Sequence, residues 1–79
     1  MEEIKTKIDT HATGKNIQRF RIKKGISILD AKEALGATSS QYIENIENGY
    51  LLPPIDVLIN LAELFGVKLD NIVSYVRFM

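Results

Sequence analysis

Residues Gly25 to Gly66 decide the fold of this chain; they read GISILDAKEALG (25–36), ATSSQYIENIENG (37–49) and YLLPPIDVLINLAELFG (50–66). Each of the three segments places apolar residues on one face of a helix and ends with a glycine. A glycine just after the last periodic residue typically stops a helix, because it tolerates a left-handed backbone. The stretch therefore predicts two helices in a helix-turn-helix, with a third helix packed behind them.

The sequence on either side of this stretch adds a helix at each end. Helix 1 is expected to begin at Thr13, a residue type that caps helices, and to end at Gly25. Helix 5 is expected from Leu69 to Tyr75, followed by an apolar tail that can turn extended. Residues Lys5 to Asp9 partly alternate, so they are either a short strand or, as we favour slightly, a frayed terminus.

The apolar periodicity also predicts the inner faces and starts of the helices. Ser27 with Asp30 is a variant capping box for helix 2, a residue at 38–40 can cap helix 3, and Pro53-Pro54 can start helix 4. The residues expected to face inward are Ile17, Phe20 and Ile22 in helix 1, Ala31, Ala34 and Leu35 in helix 2, Tyr42, Ile43 and Ile46 in helix 3, and Ile55, Leu58, Leu61, Ala62 and Phe65 in helix 4. The fold class is therefore all-α, with five helices over residues 13–76, a polar lead at 1–12 and an apolar tail at 77–79. A short β pairing of the two terminal segments can accompany it.

Length and composition predict one small packed domain without cross-links. The chain has 79 residues, 46% of them hydrophobic, and no cysteine, so we expect one core and no disulfide. No apolar run is long enough to cross a bilayer, and the first residues lack the layout of a signal peptide. We therefore expect a cytoplasmic protein that does not contact membranes.

Charge is distributed unevenly along the chain although the formal net charge is zero. Residues 1–32 hold eight basic residues and four acidic ones, whereas residues 33–67 hold five acidic residues and no Lys or Arg. A nucleic-acid-binding domain usually carries a basic excess. The charge of the helix 3 region therefore argues against tight binding of DNA.

A series of short elements occurs in an order and spacing typical of one family. The elements are Gly14-Lys15-Asn16-Ile17, Arg21, Lys24-Gly25-Ile26-Ser27, Leu35-Gly36, Ile46-Glu47-Asn48-Gly49, Pro53, Leu61-Ala62 and Phe65-Gly66-Val67. Together they resemble the XRE, or phage-repressor (Cro-like), family of helix-turn-helix proteins, over about residues 13–75. The resemblance implies a five-helix, lambda-repressor-like fold, double-stranded DNA as ligand, frequent dimerisation and a role in transcription control.

The chain departs from this family pattern in ways that bear on DNA binding. Twelve residues separate Gly36 from Gly49, where most members have eleven. Ile28 stands where a glutamine commonly grips a phosphate, and Lys32 replaces a small residue in helix 2. Helix 3, where members often carry Arg or Lys, has none.

The outward face of helix 3 has the chemistry needed to read bases. Gln and Asn form paired contacts with adenine in the major groove, Ser can donate or accept, and Glu can accept from cytosine. The candidate base contacts are Ser40, Gln41, Glu44 and Asn45, and the candidate phosphate contacts are Lys15, Arg19, Lys32, Ser39 and Asn48. The alternative is that this face is merely solvated.

The resemblance implies a structural role for two further residues. The resemblance implies that Arg21 and Glu47 form a partly buried ion pair, although they can also be two solvated charges.

The sequence offers no set of residues for catalysis or metal binding. His11 is the single histidine, without companions at the spacing of metal ligands. We therefore expect no enzyme activity, no metal, no cofactor and no small-molecule substrate.

The sequence leaves two functions from different classes open. The first is a DNA-binding transcription regulator, a repressor, that reads DNA with helix 3. The second is a helix-turn-helix fold that serves as a protein-interaction or dimerisation module without binding DNA, which the acidic stretch at 33–67 favours. A homodimer is expected from apolar residues near the C-terminus, since such surface usually finds a partner; they are Val73, Tyr75, Val76, Phe78 and Met79. Alternatively, this tail folds back as a strand beside residues 4–8 in a monomer.

Overall fold

The computed structural model describes residues 3–77, and it contains five helices and a two-stranded antiparallel sheet. The elements in chain order are β1 (Thr6–Ile8), α1 (Thr10–Lys23), α2 (Ile28–Leu35), α3 (Ser40–Glu47), α4 (Ile55–Phe65), α5 (Leu69–Ile72) and β2 (Tyr75–Arg77). The predicted five-helix fold is confirmed, and no strand interrupts residues 15–65.

Helix α1 starts three residues before Thr13, the predicted start. The Asp9 carboxylate accepts a hydrogen bond from the Ala12 N–H at 2.9 Å, which caps a helix that begins at Thr10. Thr13, the predicted cap, is instead buried one turn inside the helix. The prediction was wrong because Asp9 and Thr13 are both capping residue types and periodicity does not distinguish them.

The core lies between α1, α3, α4 and α5, and its buried residues are Ile17, Ile46, Leu58, Leu61, Ala62, Phe65 and Ile72. Phe20 is half-buried at the margin, where its ring stacks on that of Phe65 with centroids 6.4 Å apart. Burying each large side chain contributes roughly 1.5–3 kcal/mol, so this cluster is the main source of stability. The helix-turn-helix is therefore held from behind by α4, as the sequence predicts.

Three residues predicted to face inward are exposed. Ile22 follows the buried Ile17 by five positions, a rotation of about 140° around the helix, which turns it to solvent. Ala34 is exposed because Leu35 occupies the inward position of the last turn of α2. Ile55 is exposed because it opens α4, one turn before the buried Leu58, at the edge of the core.

The two ends of the chain pair as strands. Thr6 lies opposite Arg77, Lys7 opposite Val76, and Ile8 opposite Tyr75. The alternative of terminal strand pairing is thus confirmed, and the favoured frayed N-terminus is wrong, since residues 6–8 form β1 and residues 10–12 open α1.

Helix α5 ends at Ile72 rather than at Tyr75, because the following residues are held extended against α1. The Asp9 N–H donates to the Ser74 carbonyl at 2.8 Å, and the Ser74 N–H donates to the Thr13 hydroxyl at 3.0 Å. These bonds direct the chain into β2. The six residues of the two strands are all exposed, and the longest dimension of the molecule, 47 Å, is twice the next, 23 Å. The terminal sheet is therefore a ribbon that extends beyond the helices.

No helix within residues 3–77 combines the length and apolar character needed to span a membrane.

Candidate nucleic-acid interface

The helix-turn-helix consists of α2, a turn at residues 36–39, and α3. The Ser27 hydroxyl accepts from the Asp30 N–H at 2.9 Å and caps α2, which Gly36 ends in the left-handed conformation at φ 64°. The Ser39 hydroxyl accepts from the Tyr42 N–H at 3.3 Å and caps α3. Both helices therefore have defined starts.

The outward side of α3 carries a pair of bonded amides. The Gln41 side-chain N–H donates to the Asn45 side-chain oxygen at 2.9 Å, one turn further along. Gln41 is exposed, whereas Ser40, Glu44 and Asn45 are half-buried at its flanks. The inward side is formed by Ile43 and Ile46, each 1% exposed. The bonded amides keep further donors and acceptors available, because each amide carries two N–H groups and an oxygen with two lone pairs.

The orientation of α3 is fixed by the Arg21–Glu47 ion pair. The guanidinium donates to both carboxylate oxygens, at 2.6 and 3.1 Å, and also to the Ile26 carbonyl at 2.9 Å. The Arg21 side chain is 12% exposed and that of Glu47 only 3%. One side chain thus joins the end of α1, the loop before α2 and the last turn of α3, and its geometry is the bidentate one that is strongest for this pair.

A glycine allows α1 to approach the end of α3 closely. A Cβ atom at Gly14 would overlap the carbonyl oxygen of Ile46 and lie 3.0 Å from that of Glu47. The absence of a side chain at Gly14 therefore sets the distance between the two helices. His11, one turn earlier, is exposed in the first turn of α1 and lies against Gly49, just after α3.

The predicted phosphate contacts lie on three helices. Lys15 and Arg19 are exposed on the outward face of α1, where they line an open depression together with Lys23. The Arg19 guanidinium donates to the Asn16 side chain at 2.8 Å and lies 5.8 Å from the centre of the Phe20 ring, so its position is restrained. Lys32 is half-buried in α2, while Ser39 and Asn48 flank α3 as its two caps.

Comparison with known proteins identifies the family. The helix-turn-helix family model HTH_3 matches residues 17–72, which is most of the chain. This protein belongs to the XRE family of helix-turn-helix proteins. No protein of curated function matches it significantly by sequence.

Solved structures of other XRE/Cro-like regulators share the fold of this XRE-family domain. The clp gene regulator ClgR from C. glutamicum is similar with a TM-score of 0.73 and 22% identity, and the similarity covers 80% of each chain. The restriction-modification controller protein C.AhdI from Aeromonas hydrophila is similar with a TM-score of 0.74 and 19% identity. The similarity covers 81% of this chain and 96% of that one. The N-terminal DNA-binding domain of SinR from Bacillus subtilis is similar with a TM-score of 0.70 and 25% identity. The similarity covers 78% of this chain and 90% of that one.

The acidic stretch at residues 33–67 of this XRE-family domain exposes less negative charge on α3 than its composition suggests. Two of its five acidic residues, Glu44 and Glu47, lie on α3. The charge of Glu47 is buried and neutralised by Arg21, which comes from outside the stretch. Glu44 is consequently the one acidic side chain on α3 that can repel a phosphate.

Two residues that organise the site were not singled out as site residues from the sequence. Thr13 bonds to Ser74, and the Asn16 side-chain N–H donates to the Ile72 carbonyl at 2.9 Å. Asn16 thus connects the end of α5 to Arg19. A polar residue on the apolar stripe of a helix is the available signal, since such a residue needs a buried partner; Thr13 lies one turn before Ile17 on that stripe.

The residues expected at a dimer interface lie at the base and along the edge of the ribbon. Val73 is half-buried, while Tyr75 and Val76 are 62% and 49% exposed. Phe78 and Met79 lie outside the described residues. Within residues 3–77 no cluster of His, Asp and Glu side chains could hold a metal ion. The family and fold are those of DNA-binding regulators.

Proposed function

We propose that this protein is a DNA-binding transcription regulator, acting as a repressor, that reads double-stranded DNA with α3. The observation that carries the proposal is the bonded Gln41–Asn45 pair on the outward face of α3. That helix is also capped by Ser39 and held by the Arg21–Glu47 ion pair. A rigid helix with paired amides on its free side suits the major groove, which admits one helix and presents a distinct pattern at each base pair.

Base reading is assigned to four side chains of α3, namely Ser40, Gln41, Glu44 and Asn45. The amides of Gln41 and Asn45 match the donor and acceptor that adenine presents in the major groove, with about 1–3 kcal/mol of discrimination for each bidentate contact. Their mutual bond lowers the entropy lost on docking, because one rotamer of each is already selected. Ser40 and Glu44 flank this pair and contribute at neighbouring bases.

Phosphate binding is assigned to Lys15, Arg19 and Lys32, with Ser39 and Asn48 adding neutral contacts. Each phosphate that a Lys or Arg neutralises releases counterions, which supplies most of the affinity for any sequence. Three basic residues supply less of this term than a basic recognition helix would. We therefore propose a moderate affinity with a shallow salt dependence. The similar fold of the DNA-binding domain of SinR supports this function.

The test of base reading is a pair of alanine substitutions. Gln41→Ala and Asn45→Ala should each reduce the preference for the selected operator over random duplex by about tenfold, equivalent to roughly 1.4 kcal/mol. Their binding of random duplex should change little, because these residues contact base edges and not phosphates. Binding-site selection followed by fluorescence anisotropy measures both. The matched control is Asn60→Ala, which alters an exposed amide on α4; the proposal fails if all three variants behave alike.

We further propose that the protein acts as a homodimer, through residues at the C-terminal end. The supporting observation is the exposure of Tyr75 and Val76, which the strand pairing leaves uncovered. Two copies related by a two-fold axis can contact two half-sites, about one helical turn apart. Sedimentation of the full chain beside one cut after Tyr75 tests this; a full-length monomer at concentrations of tens of micromolar would contradict it.

The second candidate function is a protein-interaction module that does not bind DNA. The observation that favours it is the absence of any Lys or Arg between residues 33 and 67, which include all of α3 and α4. This function predicts no salt-sensitive binding of random duplex DNA, so the same anisotropy measurement separates the two.

A further inference from the structure

An apolar groove lies where the terminal ribbon meets α4 and α5, on elements that contribute nothing to the proposed DNA contacts. It has a volume of about 420 Å³, and its walls include Ile8, Ile55, Leu69, Asp70, Val73 and Tyr75. Asp70 is the one charged residue among those described that line it. The groove therefore suits an apolar side chain accompanied by a positive charge.

The outer end of the ribbon carries that combination. Side chains alternate between the faces of a strand, so Ile8 and Tyr75 share a face with Thr6 and Arg77. Ile4 lies two residues before the start of β1, at the same outer end. Ile8 and Tyr75 lie at the inner end and line the groove. At the outer end Ile4 is 83% exposed and Arg77 is exposed as well.

The ribbon does not reach back into the groove of its own chain. From Tyr75 to Arg77 the strand runs away from the groove, and Arg77 pairs with Thr6 at the far end of β1. A two-stranded sheet without further packing is marginally stable in water. The outer end of the ribbon is exposed and would gain stability from packing against another surface, and the groove offers one of matching polarity and opposite charge.

We propose that the groove of one copy receives the outer ribbon end of a second copy, with Ile4 entering the groove and Arg77 pairing with Asp70. This inference rests on the homodimer proposed above and assigns its contacts. The exchange is reciprocal under a two-fold axis, since each copy presents one groove and one ribbon. It uses only elements outside the helix-turn-helix, so both copies keep α3 available for DNA.

Charge reversal tests the pairing directly. Asp70→Arg and Arg77→Asp should each raise the dimer dissociation constant by about tenfold or more, because each places like charges together. The double variant recreates the pair in the opposite sense and should return the constant to within about threefold of the original. Sedimentation velocity without DNA measures the constants, and far-UV circular dichroism checks that each variant is folded.

Matched controls separate this contact from a general effect of charge. Glu33→Lys and Lys24→Glu make the same kinds of charge change at exposed positions on α2 and after α1, and should leave the dimer intact. Ile4→Ser removes the apolar contact without changing charge and should weaken the dimer as the single reversals do. A dimer insensitive to the reversals and to Ile4→Ser would overturn the ribbon exchange but leave the homodimer standing. A monomeric wild-type chain would overturn both, while the affinity for duplex DNA remains a separate readout.

Discussion

Among single residues, the Arg21–Glu47 pair most directly determines how α3 is presented. The carboxylate is almost completely buried, so its charge is tolerable only while the guanidinium neutralises it. Removing one partner leaves the other as an unpaired buried charge, which costs more than the pair contributes. The ion pair is therefore a condition for the geometry of the proposed reading helix.

Glu47→Ala is expected to lower the free energy of unfolding by about 3–5 kcal/mol, as for a broken buried ion pair. Glu33→Ala, which removes an exposed carboxylate from α2, should change it by less than about 0.5 kcal/mol. The double variant with Arg21→Ala should lose less than the sum of the two single changes. Urea unfolding measures all four, and strict additivity would show that the two residues do not interact.

Gly14 gives a second prediction at this scale, with a sign opposite to the usual one. In a helix interior, Gly→Ala ordinarily stabilises by about 1 kcal/mol. Here the added methyl group would overlap the Ile46 carbonyl oxygen, so α1 and α3 must separate. We expect Gly14→Ala to destabilise by about 1–3 kcal/mol in thermal unfolding. Gln18→Ala, a half-buried position one turn later, is the control; a stabilised Gly14→Ala would contradict the close approach.

At the scale of elements, the sequence predicts what depends on local chemistry. The starts of α2 and α3 follow from capping residues, and the polar side of α3 follows from periodicity, which brings Gln41 and Asn45 together. The end of α5 does not follow from local chemistry, because it is determined by a hydrogen bond from Ser74 to Thr13, 61 residues away in sequence. Ile22 was misplaced for a related reason, since periodicity gives a face and only the packed neighbours show where that face ends.

Thr13→Val tests this long-range contact. Valine keeps the shape of threonine but leaves the Ser74 N–H without its acceptor, so the free energy of unfolding should fall by about 1–3 kcal/mol. The Ser74 amide should also exchange with solvent faster than in the wild type, because the segment leading into β2 opens more readily. Thr38→Val, at an exposed position in the turn, serves as the control. Unchanged exchange at Ser74 would show that the contact does not hold the ribbon in place.

At the scale of the whole molecule, the proposed DNA binding depends on the balance of charge around α3. The net charge is zero, and the basic residues are concentrated on α1 and its flanks. The only charged side chains of α3 are the acidic Glu44 and Glu47. Because Glu47 is neutralised within the fold, Glu44 is the residue of α3 whose charge opposes phosphate binding. The sequence shows the acidic stretch but not this cancellation, which arises only when α1 and α3 are packed together.

The most direct test is the binding of random duplex DNA by the wild-type protein and by Glu44→Lys, measured by fluorescence anisotropy. The measurement is made at about 50 and about 200 mM salt, because affinity that comes from phosphate contacts falls strongly over this range. The wild type should bind measurably and more weakly at the higher salt. Glu44→Lys should bind several-fold more tightly, about tenfold at the lower salt, and with a steeper salt dependence, since it adds a phosphate contact. Glu63→Lys, the same change on α4, should have little effect. Wild-type protein that does not bind, or a Glu44→Lys variant with unchanged affinity, would contradict the placement of α3 in the groove.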